Sequence, residues 1–433
     1  MELYNRLLNY EKSGRQIRVG LVGSGQMGEG LACQMELMHG MKVVAIADVR
    51  KGRAEEVFKS AGIDDRKVVS TGKADTAAAA VEDGKCLATT DASMLTGIPG
   101  LDIIVEATGV PEVGARVALD AILNRKHVLQ MNVETDATVG YYLRKMASAA
   151  GVVYTLTAGD EPGTTMELVD FAKSLGFTVV SAGKGKNNPL DRSANPTSVA
   201  EKAKKQQMNP KMLASFVDGT KTMVEMTSLG NAMGFVPDIR GMHGPAAEPK
   251  TIQKVFVPKE HGGVLNNTGV VDYALGIAPG VFVVFTTEHP KLARDLAYLS
   301  MGDGPYWALY RPYHLTSLET PISIARAVLK DETTIATDLP PVCETVTYAK
   351  KDLKAGDTID TLGGYTVYGM IERADVAVRE QLLPLGLAPG SVVTRDIKGG
   401  EPVSYGDVQL LEGQTILHLR RLQDQLLGIQ GGA

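Results

Sequence analysis

Cysteine is scarce in this chain: three residues in 433, Cys33, Cys86 and Cys343, with no CxxC pair. That excludes a disulfide framework and a thiol-ligated metal of the usual spacing, and it points to a reducing compartment. No uninterrupted apolar run is long enough to cross a bilayer. The opening, MELYNRLLNYEKSGRQ, is amphipathic and charged, with no apolar stretch ahead of a cleavage site. The expectation is the cytoplasm. A large charge excess is missing too: 45 basic against 50 acidic side chains leave a net charge of -5. This argues against a general electrostatic role on nucleic acid or membrane. The length suits two or three domains.

What is present begins with IRVGLVGSGQMGEGLACQM, from Ile17. Its apolar start reads as a buried parallel strand. Gly23, Gly25 and Gly28 follow at GxGxxG spacing, with Gln26 and Met27 inside the motif, and a helical pattern opens at once. The first glycine permits the tight turn, the second lets the backbone approach a pyrophosphate, and the third lets helix and strand pack closely. The helix N-terminus supplies N–H groups and a favourable dipole for the anion. A second strand, KVVAIAD, ends in Asp48, where an acid accepts hydrogen bonds from an adenosine ribose. Asp48 by itself favours NAD, because a carboxylate repels a 2′-phosphate. Arg50, Lys51 and Arg53 follow, either as a clamp for that phosphate or as the solvated start of a helix. The cofactor expected is NADP or NAD.

Two further strands, LDIIVE and KHVLQ, lead into Thr108 with Gly109 and into Asn132 with Glu134. Ligands of open α/β sheets bind beyond the carboxyl ends of strands, so these residues are candidates to line the nicotinamide half. Each also suits a helix cap or a turn. An alanine-rich helix within 71–90 precedes a short strand, KCLATT, and a helix is expected over about 139–150.

After the strand GVVYTLTAGDEPG, the residues Asp160 and Glu161 stand at a sharp turn into a helix. The next strand, FTVVSAGKGKNN, ends in Lys184 and Lys186 on either side of Gly185. Alternation along an extended chain points both ammonium groups to one side, and their repulsion lowers the pKa of one. Gly185 is expected to let the backbone bend there. Such lysines suit a proton donor and an anion binder for hydride transfer to a carbonyl, in either order, or else two solvated loop residues. Asn187, Arg192, Arg311 and His314 are candidate substrate contacts. A helical stretch over about 196–232 and a second sheet with antiparallel strands complete the middle.

The last ninety or so residues repeat a unit: KDLKAGDTI at 351–359 and RDIKGGEPV at 395–403 both read basic-Asp-apolar-Lys-small-Gly-acid. Two related β-rich halves would form a small interlocked module behind a proline-containing linker. The expected organisation is an α/β chain with a Rossmann dinucleotide-binding domain over 1–158, an α/β catalytic domain over 159–337 and a β-rich module over 338–433.

MNVETDATVG, AGDEPGTTMELVDFAKSLGF and VVSAGKGKNNP, with GSGQMG ahead and the doubled unit behind, resemble the homoserine-dehydrogenase-like oxidoreductases with a C-terminal SAF domain. The resemblance extends over nearly the whole chain. It implies a Rossmann domain, a catalytic and dimerisation domain, the SAF domain, and a homodimer or homotetramer. One branch, the 1-deoxy-D-xylulose-5-phosphate reductoisomerase-like enzymes, uses NADPH and a divalent cation to make 2-C-methyl-D-erythritol 4-phosphate. On that reading the substrate is a small anion such as a sugar phosphate. Lys184, Lys186, Asp160 and Glu161 are then catalytic, and the two carboxylates are candidate ligands for Mg2+ or Mn2+. The chain lacks the Asp-x-Glu metal cluster of the usual reductoisomerase. Two alternatives stand beside it: a homoserine-type, polyol or hydroxy-acid dehydrogenase, and a cofactor-binding regulator without turnover.

Overall fold

The computed structural model describes residues 2–429. The chain divides into two compact units, 1–160 with 315–338, and 161–314 with 339–433. The module expected at 338–433 thus shares a unit with the middle of the chain.

The first unit is built on seven parallel strands: β1 Ile17–Val22, β2 Met41–Ala47, β3 Val68–Ser70, β4 Cys86–Thr89, β5 Ile103–Glu106, β6 His127–Gln130 and β7 Tyr154–Leu156. Their order is β3-β4-β2-β1-β5-β6-β7. The chain therefore moves outward from β1 in both directions, and the reversal between β1 and β5 is where an open sheet of this kind places its ligand crevice. Ile17, Val19 and Leu21 of β1, Ile46 of β2 and Ile103 of β5 are fully buried. Near-continuous apolar strands of this sort are what a sheet covered on both faces requires. Residues 315–338 return to this unit, and the helix Thr320–Lys330 buries Ile324, Ala325 and Ala327 in the same core.

The second unit centres on a mixed sheet of β8 Thr178–Lys186, β9 Val236–Pro237, β10 Val270–Leu275, β11 Val281–Thr286 and β12 Tyr306–Arg311, in the order β12-β11-β8-β10-β9. Central β8 pairs parallel with β10 and antiparallel with β11. The expected bend at Gly185 does not occur, since β8 runs straight through to Lys186. The glycines answer a different need. A Cβ at Gly183 would lie 1.8 Å from the Asp272 carbonyl oxygen, and one at Gly185 2.4 Å from the Ala278 nitrogen. Neighbouring backbone presses on that face of β8, and the lysines occupy the other.

Two helical expectations are corrected. The helix expected over 139–150 spans Val133–Ala150, because Asn132 caps it and its side chain accepts a hydrogen bond from the Thr135 amide. The stretch over 196–232 is three helices, Ala200–Lys205, Pro210–Val217 and Thr220–Met233. Left-handed backbone at Gln207 and Gly219 separates them.

The doubled unit interlocks with itself. Leu353 and Ile397 exchange both backbone hydrogen bonds, at 2.9 and 3.0 Å. Lys354 donates to Asp396 at 2.7 Å, and Lys398 reciprocates to Asp352 at 3.0 Å. Corresponding residues of the two copies thus contact each other, the arrangement a local two-fold relation produces. Strands β13 Cys343–Ala349 and β14 Val367–Arg373 join this module to the helix Thr220–Met233. The Asn231 side chain accepts from the Val342 and Cys343 amides at 2.9 and 2.8 Å. No described helix is long and apolar enough to cross a membrane.

Candidate functional site

The glycine motif occupies the loop after β1. Gly23 has φ 92°, and a Cβ there would sit 2.8 Å from the Ala107 backbone. A Cβ at Gly28 would lie 2.2 Å from the Gly23 oxygen, so strand and helix approach too closely for any side chain. Gly25 differs, because a Cβ there meets nothing within 4 Å. Gly25 is the N-cap of the helix Gln26–Met35, and its missing side chain leaves the approach to that first turn open. This is the arrangement a pyrophosphate needs, and these residues fit a dinucleotide.

Asp48 follows β2, and both its oxygens are engaged. One accepts from the Arg50 amide at 2.9 Å and from Arg50 Nε at 3.0 Å. The other accepts from the Ser24 amide at 3.0 Å, the Ser24 hydroxyl at 2.8 Å and Arg50 Nη2 at 3.1 Å. Burial raises a carboxyl pKa, but the Arg50 and Ser24 hydrogen bonds override it and hold Asp48 well below the usual range. Arg53 donates to the Ser24 carbonyl at 2.9 Å. Two of the three basic residues after Asp48 therefore brace the glycine loop.

At the carboxyl end of β5, Thr108 donates its amide to Glu106 at 2.8 Å, and its hydroxyl binds the same oxygen. Gly109 takes left-handed backbone at φ 69°. Glu106 was not among the expected site residues. It is fully buried, accepts from Gln130 at 3.3 Å, and burial pushes its pKa up to about 7 against the Thr108 and Asn132 hydrogen bonds. A polar residue closing an otherwise apolar strand was the one signal for it.

This shift has a testable consequence. In the unfolded chain Glu106 loses its proton near the ordinary 4.5, whereas the folded chain holds it to about 7. The folded state therefore binds more protons between those values, and stability falls as pH rises through that window. Glu106→Gln removes the titration. Its thermal stability relative to the parent should be higher at pH 8 than at pH 4.5, by up to about 3 kcal/mol from the size of the shift. A pH-independent difference between the two proteins would contradict the assignment.

In the second unit, Lys184 and Lys186 are both 5% exposed. Lys184 Nζ donates to Glu161 Oε1 at 2.6 Å and to Glu225. Glu161 opens the helix Glu161–Ser174, and Glu225 comes from the middle of Thr220–Met233. His314 Nε2 lies 3.4 Å from the same Glu161 oxygen. Burial alone would lower the Lys184 pKa. The Glu161 and Glu225 carboxylates reverse that and hold it above the ordinary ammonium range. Lys186 contrasts with it. Its Nζ donates to the Phe216 carbonyl at 2.6 Å. Burial, and then the Lys184 charge, lower its pKa to about 8.

The other expected residues are placed as follows. Arg311 pairs with Glu167 at 3.2 Å and lies over the Tyr313 ring. Arg192 stacks on the Tyr368 ring and meets the Met370 sulfur at 3.6 Å. Asn187 is exposed just past β8. Asp160 closes the first unit while Glu161 opens the second. Within the second unit, Glu161 and His314 can each offer a ligand atom to a metal ion, and the Lys184 ammonium also rests on Glu161. Glu225 was missed in the sequence, although it is the lone acid of a helix otherwise free of negative charge.

Residues 159–320 match the family model described as Oxidoreductase DRL, catalytic domain. No curated protein matches the chain. Among solved structures it is similar to a probable dehydrogenase from Thermotoga maritima, at 14% identity over 73% of this chain and 90% of that one, with TM-score 0.41. A putative myo-inositol dehydrogenase from Sinorhizobium meliloti 1021 is similar at 13% identity over the same shares, with TM-score 0.39. Scyllo-inositol dehydrogenase from Lactobacillus casei, with bound NAD(H) and scyllo-inositol, is similar at 13% identity over 63% of this chain and 74% of that one, with TM-score 0.35. A nucleotide-binding sheet in one unit and an oxidoreductase catalytic segment along the middle of the chain make this an NAD(P)-dependent oxidoreductase.

Proposed function

We propose that the chain is a dehydrogenase acting on a small polar carbonyl or hydroxyl compound, a polyol or hydroxy acid, with Lys186 as its proton donor. The observation that carries this reading is the opposite tuning of two neighbouring lysines. Lys184 is held charged by two carboxylates, whereas Lys186 is poised at about 8, where it can both give and take a proton at neutral pH. A bound nicotinamide cofactor supplies or accepts the hydride. In the reducing direction the carbonyl carbon takes the hydride, and the Lys186 ammonium passes a proton to the oxygen. In the oxidising direction the neutral amine removes the hydroxyl proton. Burial lowers the Lys186 pKa first, and the Lys184 charge, fixed by Glu161 and Glu225, lowers it further.

The Lys184 charge is already answered by two carboxylates, which supports an uncharged or singly charged substrate over a sugar phosphate. Arg311 is committed to Glu167 and Arg192 to an aromatic ring. The direct experiment is NADPH and NADH oxidation by the full chain against linear and branched keto-polyols, keto acids, aspartate semialdehyde and deoxyxylulose phosphate. Turnover of a keto-polyol or keto acid supports the proposal. Turnover of deoxyxylulose phosphate alone replaces it with the reductoisomerase reading, and cofactor binding without turnover of any of them replaces it with the regulator reading.

NADP is the proposed cofactor. Asp48 already accepts five hydrogen bonds, and the Arg50 side chain it anchors is 60% exposed beside the ribose end of the crevice. Arg50→Ala should weaken NADPH binding by roughly tenfold or more, the range for a hydrogen bond to a charged group. NADH binding should change little. Fluorescence titration with each cofactor checks it, and an equal loss for both would assign Arg50 to the loop alone.

A further inference from the structure

The second unit holds a cavity that the oxidoreductase site does not use. It lies in the C-terminal module, has a volume of about 40 Å³, and is lined by Glu344 of β13, Tyr405, and Arg420 and Asp424 of the helix Thr415–Leu426, with Ala377 and Leu382 as apolar wall. Arg420 faces both acids: Nη1 donates to Glu344 at 2.6 Å and Nε to Asp424 at 2.8 Å. Glu344, Arg420 and Asp424 are respectively 7%, 7% and 4% exposed. Two carboxylates thus share one guanidinium away from solvent.

Among the described residues this cluster sets two carboxylates against one guanidinium, and burial raises the Glu344 carboxyl pKa despite the Arg420 charge, as expected of a buried cluster short of positive charge. The second Asp424 oxygen and the Tyr405 hydroxyl are buried and meet no hydrogen-bond partner among the described residues. Both residues line the cavity. An acceptor carrying negative charge and a hydroxyl that can accept or donate call for an N–H-bearing cation. On the measure by which one water needs roughly 10–15 Å³, the space takes a group of about three heavy atoms. The apolar wall leaves room for a carbon or two behind the charge.

We infer that this cavity binds a small primary alkylammonium group, whose N–H bonds are accepted by Asp424 and Tyr405 and whose charge balances the Glu344–Arg420–Asp424 cluster. The ligand is a short aliphatic amine or the amino end of a longer one. It is distinct from the dehydrogenase substrate, and its site is independent of Lys186.

Thermal unfolding and calorimetric titration of the full chain with methylammonium chloride test this, against potassium chloride and tetramethylammonium chloride at matched ionic strength. Methylammonium should raise the melting temperature saturably. Tetramethylammonium, which is bulkier and has no N–H group, should give no such rise, and potassium should give none either. Asp424→Asn should weaken methylammonium binding at least tenfold, and Tyr405→Phe should weaken it several-fold. An equal response to all three salts would mean that the cavity holds water alone and would overturn the inference. So would a potassium response equal to that of methylammonium, or unchanged affinity in Asp424→Asn. If Asp424→Asn does not fold, Tyr405→Phe decides: unchanged affinity there overturns the inference as well.

Discussion

Lys186→Met lowers kcat for carbonyl reduction by roughly a hundredfold or more, the range for loss of a positioned proton donor. The substitution keeps the stem that packs inside the second unit and removes the ammonium group. It also leaves the Phe216 carbonyl without its 2.6 Å donor, so folding is checked first by circular dichroism. The pH profile carries the sharper information. With a donor pKa of about 8, reduction by the parent protein falls as pH rises past 8, and oxidation of the alcohol rises up to the same point. The variant should lose that limb in both directions while KM changes little, because the interaction removed belongs to the transition state. A variant that raised KM alone would make Lys186 an anion binder.

Lys350→Met destabilises the protein by about 3–5 kcal/mol, the cost of leaving one member of a buried ion pair unpaired. Lys350 Nζ meets Asp218 at 2.8 Å, the Ala194 carbonyl at 2.6 Å and the Gly364 carbonyl at 2.9 Å, so each of its three hydrogens has an acceptor. Its side chain is 2% exposed and that of Asp218 0%. Burial raises the Asp218 carboxyl pKa and the Lys350 ammonium opposes the rise; without Lys350 the carboxylate is stranded. Asp218 also accepts the Thr220 amide at 2.8 Å, a bond that asparagine preserves. Urea unfolding should therefore show that Lys350→Met combined with Asp218→Asn recovers part of the loss. A cost below about 1 kcal/mol for Lys350→Met would place the pair among weak surface contacts. The three acceptors come from 161–314 and from 339–433, so this pair is one of the ties between the C-terminal module and the middle of the chain.

The nucleotide-binding sheet was legible in the sequence because its signals are local. An apolar run, three glycines at fixed spacing and a second strand lie within about thirty residues, and backbone geometry alone imposes Gly23 and Gly28. The paired lysines at the end of β8 were legible for the same reason, since strand alternation puts both on one face. What decides their chemistry is remote. Glu225 comes from a helix beginning 34 residues after Lys186, and no periodicity in β8 announces that a carboxylate will meet Lys184. Asp48 shows a different limit. Its position was plain, but whether its oxygens face a ribose or brace Arg50 and Ser24 depends on rotamers that spacing does not specify. The stretch over 196–232 reads as continuous helix by its apolar pattern. Left-handed backbone at Gln207 and Gly219 turns it twice; Asn209-Pro210 and Asp218-Gly219 are the local marks of those turns, and the apolar pattern running across them hid both.

The division of labour between the two lysines can be measured without knowing the substrate. Protein labelled with 13C at the lysine ε-carbon is titrated by NMR from pH 6 upward, with the Lys186 signal assigned by its absence from Lys186→Met. The account predicts a Lys186 midpoint at about 8, together with a Lys184 signal that stays in its charged position beyond the ordinary lysine range. A Lys186 midpoint in the ordinary range near 10.5 would contradict it, for the amine would then be neither desolvated nor repelled by Lys184, and Lys186 would have no special fitness to move a proton.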